Sequence, residues 1–267
     1  MLCEILYDND LSMRATRMLD AMIAAAPEVG VEPLVTPRWL KRTPLLMSYG
    51  LGHPQRRIWT EEHVRSGGRL IGWDLSYWAR DDYMRCTVDH LHPWRLIRDM
   101  PPERWDSFGI PLREDADPNG PIVLIGMGRK SRAQFAMADR NWEKKALRDI
   151  QSAYPGRKIV YKPKRQEEGL VGCVTVNGPI EEALVGAALV VCRHSNVAVD
   201  ACMAGVPVVC EDGAAKVLYG EDIRNPVNPS AAQRLRFLRN LAYWQWKPAE
   251  AVEAWKFLLE VCGLREE

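Results

Sequence analysis

Residues 190–212, VVCRHSNVAVDACMAGVPVVCED, run through a strand, a polar turn, a short helix and a second strand in quick succession. The apolar run from Ala187 to Cys192 is short enough to be a buried strand, and Arg193-His194-Ser195-Asn196 turns the chain. Val197, Val199, Ala201, Cys202 and Ala204 then form a compact helix that Gly205 ends, and Pro207 restarts the chain as a strand from Val206 to Cys210. This pattern predicts one parallel βαβ unit with a tightly packed crossover. Ser195 and Asn196 are good N-cap types, so the helix is expected to present free N–H groups and its positive dipole end at the mouth of the sheet. Such an end binds phosphate. The same Ser-Asn turn would also serve as a plain helix cap with nothing bound.

Asp200 lies four residues after Asn196, one helical turn on and on the same face. A carboxylate there can accept hydrogen bonds from ribose hydroxyls. The small Ala201, Ala204 and Gly205 let the helix sit close to a ligand. The segment SNVAVDACMAGVPVV resembles the nucleotide-sugar motif in the C-terminal domain of GT-B glycosyltransferases. In that family an acidic residue on this helix grips the ribose and the preceding turn grips the diphosphate. Many members have Glu where this chain has the shorter Asp200.

A chain of 267 residues forms one large domain or two small ones. The 36 Lys and Arg nearly balance the 35 Asp and Glu, so no global polyanion-binding signal exists. The seven Cys are scattered without metal-ligand spacing, which predicts small core residues in a reducing compartment and no structural metal site. No secretory signal pattern and no apolar run near ~18 residues is present, so no membrane span is expected and a cytoplasmic location is (host cytoplasm if phage-encoded). Ten Trp is high for this length, and most are expected in the core.

In the first half, Leu2 to Tyr7, Val31 to Val35, Leu45 to Tyr49 and Arg69 to Trp73 read as strands. Ser12 to Ala26 and Glu61 to Ser66 read as helices, with a loop at Tyr49-Gly-Leu-Gly-His53. Alternation at this spacing predicts a parallel sheet covered on both faces, with ligands at the carboxyl ends of its strands. Asp8, Gly50, Gly52 and Asp74 fall at such ends. Residues 77–113 are irregular, broken by Pro, and rich in Trp and Arg. The polar EDADPNG stretch, Glu114 to Gly120, sets the domain boundary, giving residues 1–118 and 119–267.

The second half opens with the strand PIVLI, followed by Gly126-Met-Gly128-Arg129-Lys130-Ser131, which has two of the three glycines of GxGxxG, with Ser at the last place. This Gly-rich turn lets backbone approach a phosphate, with Arg129 and Lys130 adding charge; as a dinucleotide fingerprint it is weak, because no acidic residue follows on schedule. Asn141 to Ala153 is an amphipathic helix, and Lys158 to Tyr161 a strand that closes on Lys162-Pro-Lys164-Arg165. Those cations suit either a solvated edge or a diphosphate. Glu211-Asp212-Gly213 matches the loop where many GT-B enzymes hold donor-sugar hydroxyls. Two amphipathic segments, Ser230 to Trp246 and Pro248 to Val261, close the chain, and GT-B chains commonly end with helices crossing back onto the first domain.

The resemblance therefore implies an α/β protein with two Rossmann-like parallel-sheet domains facing a cleft. It also implies transfer from a UDP-sugar, inverting and with no metal strictly required. Lys162, Lys164, Arg165, Arg193, His194, Ser195 and Asn196 would stabilise charge on the leaving diphosphate. An inverting reaction needs a base for the acceptor hydroxyl. Asp74, beside Trp73, Tyr77 and Trp78, is the first choice, Asp8 and Asp10 come second, and His53, His90 and His92 are further options. Before residue 135 there are sixteen Arg and two Lys, interleaved with Trp and Tyr, against eighteen acids. Small GT-B enzymes of this build resemble phage DNA glycosyltransferases, which implies a hydroxymethylated pyrimidine as acceptor, bound through residues 77–113. A cell-surface polysaccharide transferase has similar C-terminal motifs and stays open as the alternative. An epimerase-like or non-catalytic nucleotide-binding protein also remains open. A monomer is expected.

Overall fold

The computed structural model describes residues 1–137, 140–164 and 169–264. Contacts divide the chain into two compact units, Met1–Leu96 with Tyr243–Glu267, and Ile97–Ala242.

The first unit begins with β1 (Leu2–Leu6), α1 (Met13–Ala25), β2 (Glu32–Thr36), β3 (Leu45–Tyr49), α2 (Pro54–Arg65), β4 (Arg69–Leu75) and β5 (Met84–Val88). The second contains α3 (Glu103–Asp106), β6 (Ile122–Ile125), α4 (Arg129–Gln134), α5 (Asn141–Ala153), β7 (Ile159–Lys162) and β8 (Val174–Thr175). It continues with α6 (Ile180–Leu184), β9 (Leu189–Cys192), α7 (Val197–Ala204), β10 (Val208–Cys210) and α8 (Ala231–Ala242). The chain then returns to the first unit with β11 (Gln245–Trp246) and α9 (Ala251–Val261).

In the first unit the strand order is β11-β5-β4-β3-β1-β2. Strands β1 to β4 are mutually parallel, but β5 runs antiparallel to β4 and β11 antiparallel to β5, which corrects the expectation of an all-parallel sheet. Sequence periodicity missed β5 because Arg85 is its second residue; the strand is buried throughout, and Arg85 is paired across the ladder with Asp74. It also missed the first half of α2, whose inner face carries Arg56, Thr60 and His63 in place of an apolar stripe. Helix α1 buries Ala15, Met18, Leu19 and Met22 at helical spacing, and Ser12 Oγ accepts from Ala15 N at 3.3 Å as its N-cap. Helix α9 packs on α1, with Trp255 Nε1 donating to Met22 O at 2.7 Å. Trp244 meets Phe257 edge-on, their ring centroids 5.1 Å apart.

The second unit has a parallel sheet in the order β10-β9-β6-β7-β8. Counted within the unit and read from the β8 edge this is 3-2-1-4-5, the order of a dinucleotide-binding Rossmann sheet, and its switch point lies between β6 and β9. Fully buried strands read as short apolar runs, as IVLI in β6 and LVVC in β9 do. One face is filled by Leu124, Trp142, Leu147, Ile150, Tyr161 and Val191. Gly205, at φ 76°, closes α7 by donating to Ala201 O, and a Cβ there would lie 2.5 Å from Arg113 O.

The boundary falls earlier than the polar stretch 114–120 suggests. Arg113 N donates to Met203 O and Asp115 N to Ala204 O, both at 2.8 Å, and Gly186 N donates to Asp115 O at 2.8 Å. Met100 N bonds Asn240 Oδ1 at 2.7 Å. Residues 97–120 are thus satisfied by the second unit, and their polarity marks bonded backbone rather than a linker. All seven cysteines are free, and every one except Cys173 is buried. Burial pushes the thiols of Cys192 and Cys202 up to about 12.

Candidate functional site

At the carboxyl ends of β6, β7 and β9 the second unit forms a shallow cleft of about 250 Å³. That volume includes open solvent, and the enclosed part is only about 20 Å³, so the cleft is sized at most for one group of a larger molecule. Its walls come from three turns. Gly126, Met127, Gly128 and Ser131 follow β6, Lys164 follows β7, and Arg193, His194 and Ser195 follow β9. The cleft sits at the switch point between β6 and β9, where open α/β sheets bind ligands.

Two side chains define its chemistry. Arg193 lies over the Phe135 ring, 3.6 Å from the centroid, and its Nε is 3.5 Å from Glu211 Oε2. Trp142 Nε1 donates to the other oxygen of Glu211 at 2.6 Å. Arg193 Nε and Nη1 are buried and have no hydrogen-bond partner among the described residues, so the ion pair is close but not aligned. A desolvated guanidinium with an unused donor beside a cleft is a ready anion-binding group. His194 Nε2 lies 3.0 Å from Ser131 Oγ, which joins the β9 turn to the start of α4.

The Gly-rich turn is fixed from below. Gly126 N donates to Lys162 O at 2.9 Å, and Met127 N to Glu143 Oε1 at 2.9 Å. Glu143 is fully buried and also accepts from Arg132 Nη2 at 3.0 Å. A Cβ on Gly126 would lie 2.3 Å from the Tyr161 hydroxyl. Gly126→Ala is therefore expected to cost about 1–3 kcal/mol by overpacking, and adding Tyr161→Phe should recover part of it in urea unfolding. A Gly126→Ala protein as stable as the parent would show that this wall yields freely.

Six of the residues expected in the site, Gly126, Gly128, Lys164, Arg193, His194 and Ser195, line the cleft together. Others lie apart. Arg129 is exposed, Lys162 Nζ donates to Gly178 O at 2.6 Å, and Asp200 is buried on α7. Asp212 Oδ1 accepts from Gly213 N at 2.7 Å, Glu211 is engaged by Trp142 and Arg193, and Arg165 lies outside the described residues. The start of α7 is less open than expected. Ser195 Oγ accepts from Val197 N at 3.3 Å, the next three amides bond to Ser195 O and Asn196 O, and the Asn196 side chain caps nothing. The start of α7 therefore does not present the run of free amides that the sequence suggests. The sequence reading passed over Trp142, Glu143 and Phe135 as site residues and took Ser131 only as the last position of the Gly-rich turn. Glu143 did leave a signal, a lone acid on the apolar stripe of an amphipathic helix.

In the first unit, Asp74 Oδ2 accepts from Arg85 Nη2 at 3.1 Å and Oδ1 from Leu75 N at 2.7 Å, and the carboxylate stays partly exposed. Arg85 Nη1 bonds His92 Nδ1 at 2.8 Å; because Arg only donates, that nitrogen carries no proton. Burial pushes the Tyr77 phenol, beneath the Arg85 guanidinium, up to about 12. Asp8 receives Arg56 Nη2 on both oxygens, at 2.6 and 2.8 Å. Desolvation raises the Asp8 carboxyl, but the hydrogen bonds and charge of Arg56 outweigh it and hold the group below its ordinary value. A folded-state value below the unfolded one gives stability that is present above pH ~4 and is lost as pH falls through the folded value. Asp8→Asn should thus lower stability by about 1 kcal/mol at pH 7 for this partly solvated pair, with the gap closing in unfolding curves at pH 3.

Within 77–113, Tyr77, Trp78, Arg85 and Trp105 are all buried, and Arg104 Nε is bonded to Ala242 O at 3.0 Å. Much of this stretch is framework rather than an exposed stacking surface.

Two solved structures from Thermosulfurimonas dismutans are similar to the chain. KpsC, beta Kdo 2,4 transferase, aligns with a TM-score of 0.58 and 11% identity over 93% of each chain. KpsC, beta Kdo 2,7 transferase, aligns with a TM-score of 0.57 and 16% identity over 99% of each chain. The chain has a glycosyltransferase-like fold. No family model matches the sequence, and no curated protein sequence matches it either. Among the described residues, no helix is long and apolar enough to cross a membrane. Among the same residues, no three His, Cys, Asp or Glu side chains gather as a metal-ligand set.

Proposed function

We propose that the protein is a GT-B-type glycosyltransferase that moves a sugar from a nucleotide donor, a UDP-sugar by the resemblance of residues 195–209, to an acceptor hydroxyl. The observation that carries this reading is Arg193 at the switch point of a Rossmann-ordered sheet, its Nε and Nη1 buried and without a hydrogen-bond partner among the described residues. Lys164, Ser131 and His194 line the same cleft. Together they suit a diphosphate, whose charge grows as the glycosidic bond to the donor breaks. Lys164 and Arg193 supply positive charge from the protein itself, so the leaving group can depart without a metal being strictly required. Asp200 is assigned to the ribose and Asp212 to a donor-sugar hydroxyl.

Asp74 is the proposed base. Asp8 is gripped on both oxygens by Arg56, whereas Asp74 gives one oxygen to Arg85 and keeps part of its surface in water. For the acceptor, the burial of Tyr77, Trp78 and Trp105 removes half of the six Phe, Trp and Tyr rings of residues 77–113 from the stacking surface that a flipped DNA base would need. A glycan hydroxyl is therefore the leading acceptor, in line with the sugar-transferase names of the two similar structures, and hydroxymethylated DNA becomes the competing one.

The test measures nucleotide release from a panel of nucleotide sugars, with and without oligosaccharides or hydroxymethylated DNA. Release that depends on an oligosaccharide supports the glycan reading, and release that depends only on the DNA replaces it. Tight nucleotide binding with no turnover under any condition would mark a binding module instead. Interconversion of the donor sugar without transfer would mark an epimerase-like enzyme.

A further inference from the structure

The Gly126–Gly128 turn is held by a carboxylate that does not line the cleft. Glu143 has no exposed surface, and its Oε1 takes both the Met127 amide and the Arg132 guanidinium, at 2.9 and 3.0 Å. Its Oε2 has no hydrogen-bond partner among the described residues. Burying a carboxylate is costly, and on a helix face shared with Trp142, Ala146, Leu147 and Ile150 an apolar side chain would pack without that cost. The carboxylate does what an apolar group cannot: it gathers a loop amide and a guanidinium from α4 onto one oxygen. With Gly126 N already donating to Lys162 O, both amides at the start of the turn are satisfied from the interior. The same α4 carries Ser131, set 3.0 Å from His194.

We propose that Glu143 is a positioning residue for the anion subsite. It fixes the turn and, through Arg132, the first part of α4, so that Gly128 and Ser131 meet a phosphate in a shape formed before binding. Arg132 is then the counter-ion of Glu143 and not a phosphate ligand. This rests on the phosphate reading of the cleft given above. Preorganisation of this kind raises affinity because the ligand no longer has to order the loop.

The experiment uses inorganic pyrophosphate as the probe, with calorimetry and thermal unfolding on the wild type and on Glu143→Gln. Gln keeps the size and one carbonyl oxygen but gives Arg132 no charge to pair with. The expected result is affinity about tenfold weaker, the lower range for loss of an outer-shell partner, with faster hydrogen exchange at residues 126–131. Unchanged affinity with only a lower melting temperature would overturn the positioning role and leave the phosphate reading standing. Failure of the wild type to bind pyrophosphate would overturn both. Should Glu143→Gln not fold, exchange in the unaltered protein decides. A Met127 amide protected like those of β6 supports the proposal, and one exchanging like an exposed loop amide overturns it.

Discussion

Replacing Arg193 by Ala should weaken UDP binding by about 2–3 kcal/mol, or roughly 30- to 150-fold, the range for a charge-assisted hydrogen bond to a phosphate oxygen. The size follows from how the side chain is held. Its guanidinium is already out of bulk water, stacked 3.6 Å above the Phe135 ring and 3.5 Å from Glu211. The desolvation and ordering that a surface Arg would undergo on binding are therefore complete in the free protein. Nη1 has no acceptor among the described residues, so a phosphate oxygen would add a bond without displacing one. Arg193→Lys should recover only part of the loss, because an ammonium restores charge but neither the flat stack nor the fork. Calorimetry at two salt concentrations checks both variants. Arg193→Ala binding UDP as tightly as the parent would remove this residue from the site, and with it the observation on which a diphosphate subsite rests.

How far the sequence discloses this site depends on how local the determining contacts are. Strands β6 and β9 are legible because strands buried on both faces are continuous apolar runs, and the residues after them, Gly126, Gly128 and Arg193 to Ser195, inherit their place from parallel topology alone. Helix α5 is legible to the residue because its apolar stripe is regular. Legibility ends where one side chain answers another far along the chain. Ser131 meets His194 across 63 positions, and Trp142 meets Glu211 across 69. Neither pairing leaves a local pattern. Lys162 shows the opposite failure: it belongs to a run of cations that looks like one phosphate site, yet its ammonium is used by Gly178 O while Lys164 lines the cleft. Strand β5 was hidden for a related reason. A buried Arg inside a strand reads as surface until its partner Asp74, on the neighbouring strand, is known.

That pair underlies the second large effect expected. Asp74→Asn should lower the transfer rate by about 10²- to 10⁴-fold, the usual worth of a positioned general base, while UDP binding stays at its wild-type strength. Asn has nearly the shape of Asp, and its single carbonyl oxygen can still take either the Leu75 amide or Arg85, now held at 2.7 and 3.1 Å. It cannot take a proton from an acceptor hydroxyl. A purely structural role would show differently, as lost stability with the rate per folded molecule unchanged. Asp8→Asn is the internal control. Asp8 already gives both oxygens to Arg56, so its loss should register mainly in unfolding and little in turnover. If the two variants exchanged behaviours, with Asp8→Asn silent in stability and dead in transfer, the base would be Asp8, and the Arg56 pair would have to open for the acceptor to reach it. A fully active Asp74→Asn protein would rule out Asp74 as the base, because no geometry around Arg85 supplies a second carboxylate oxygen to replace the one removed.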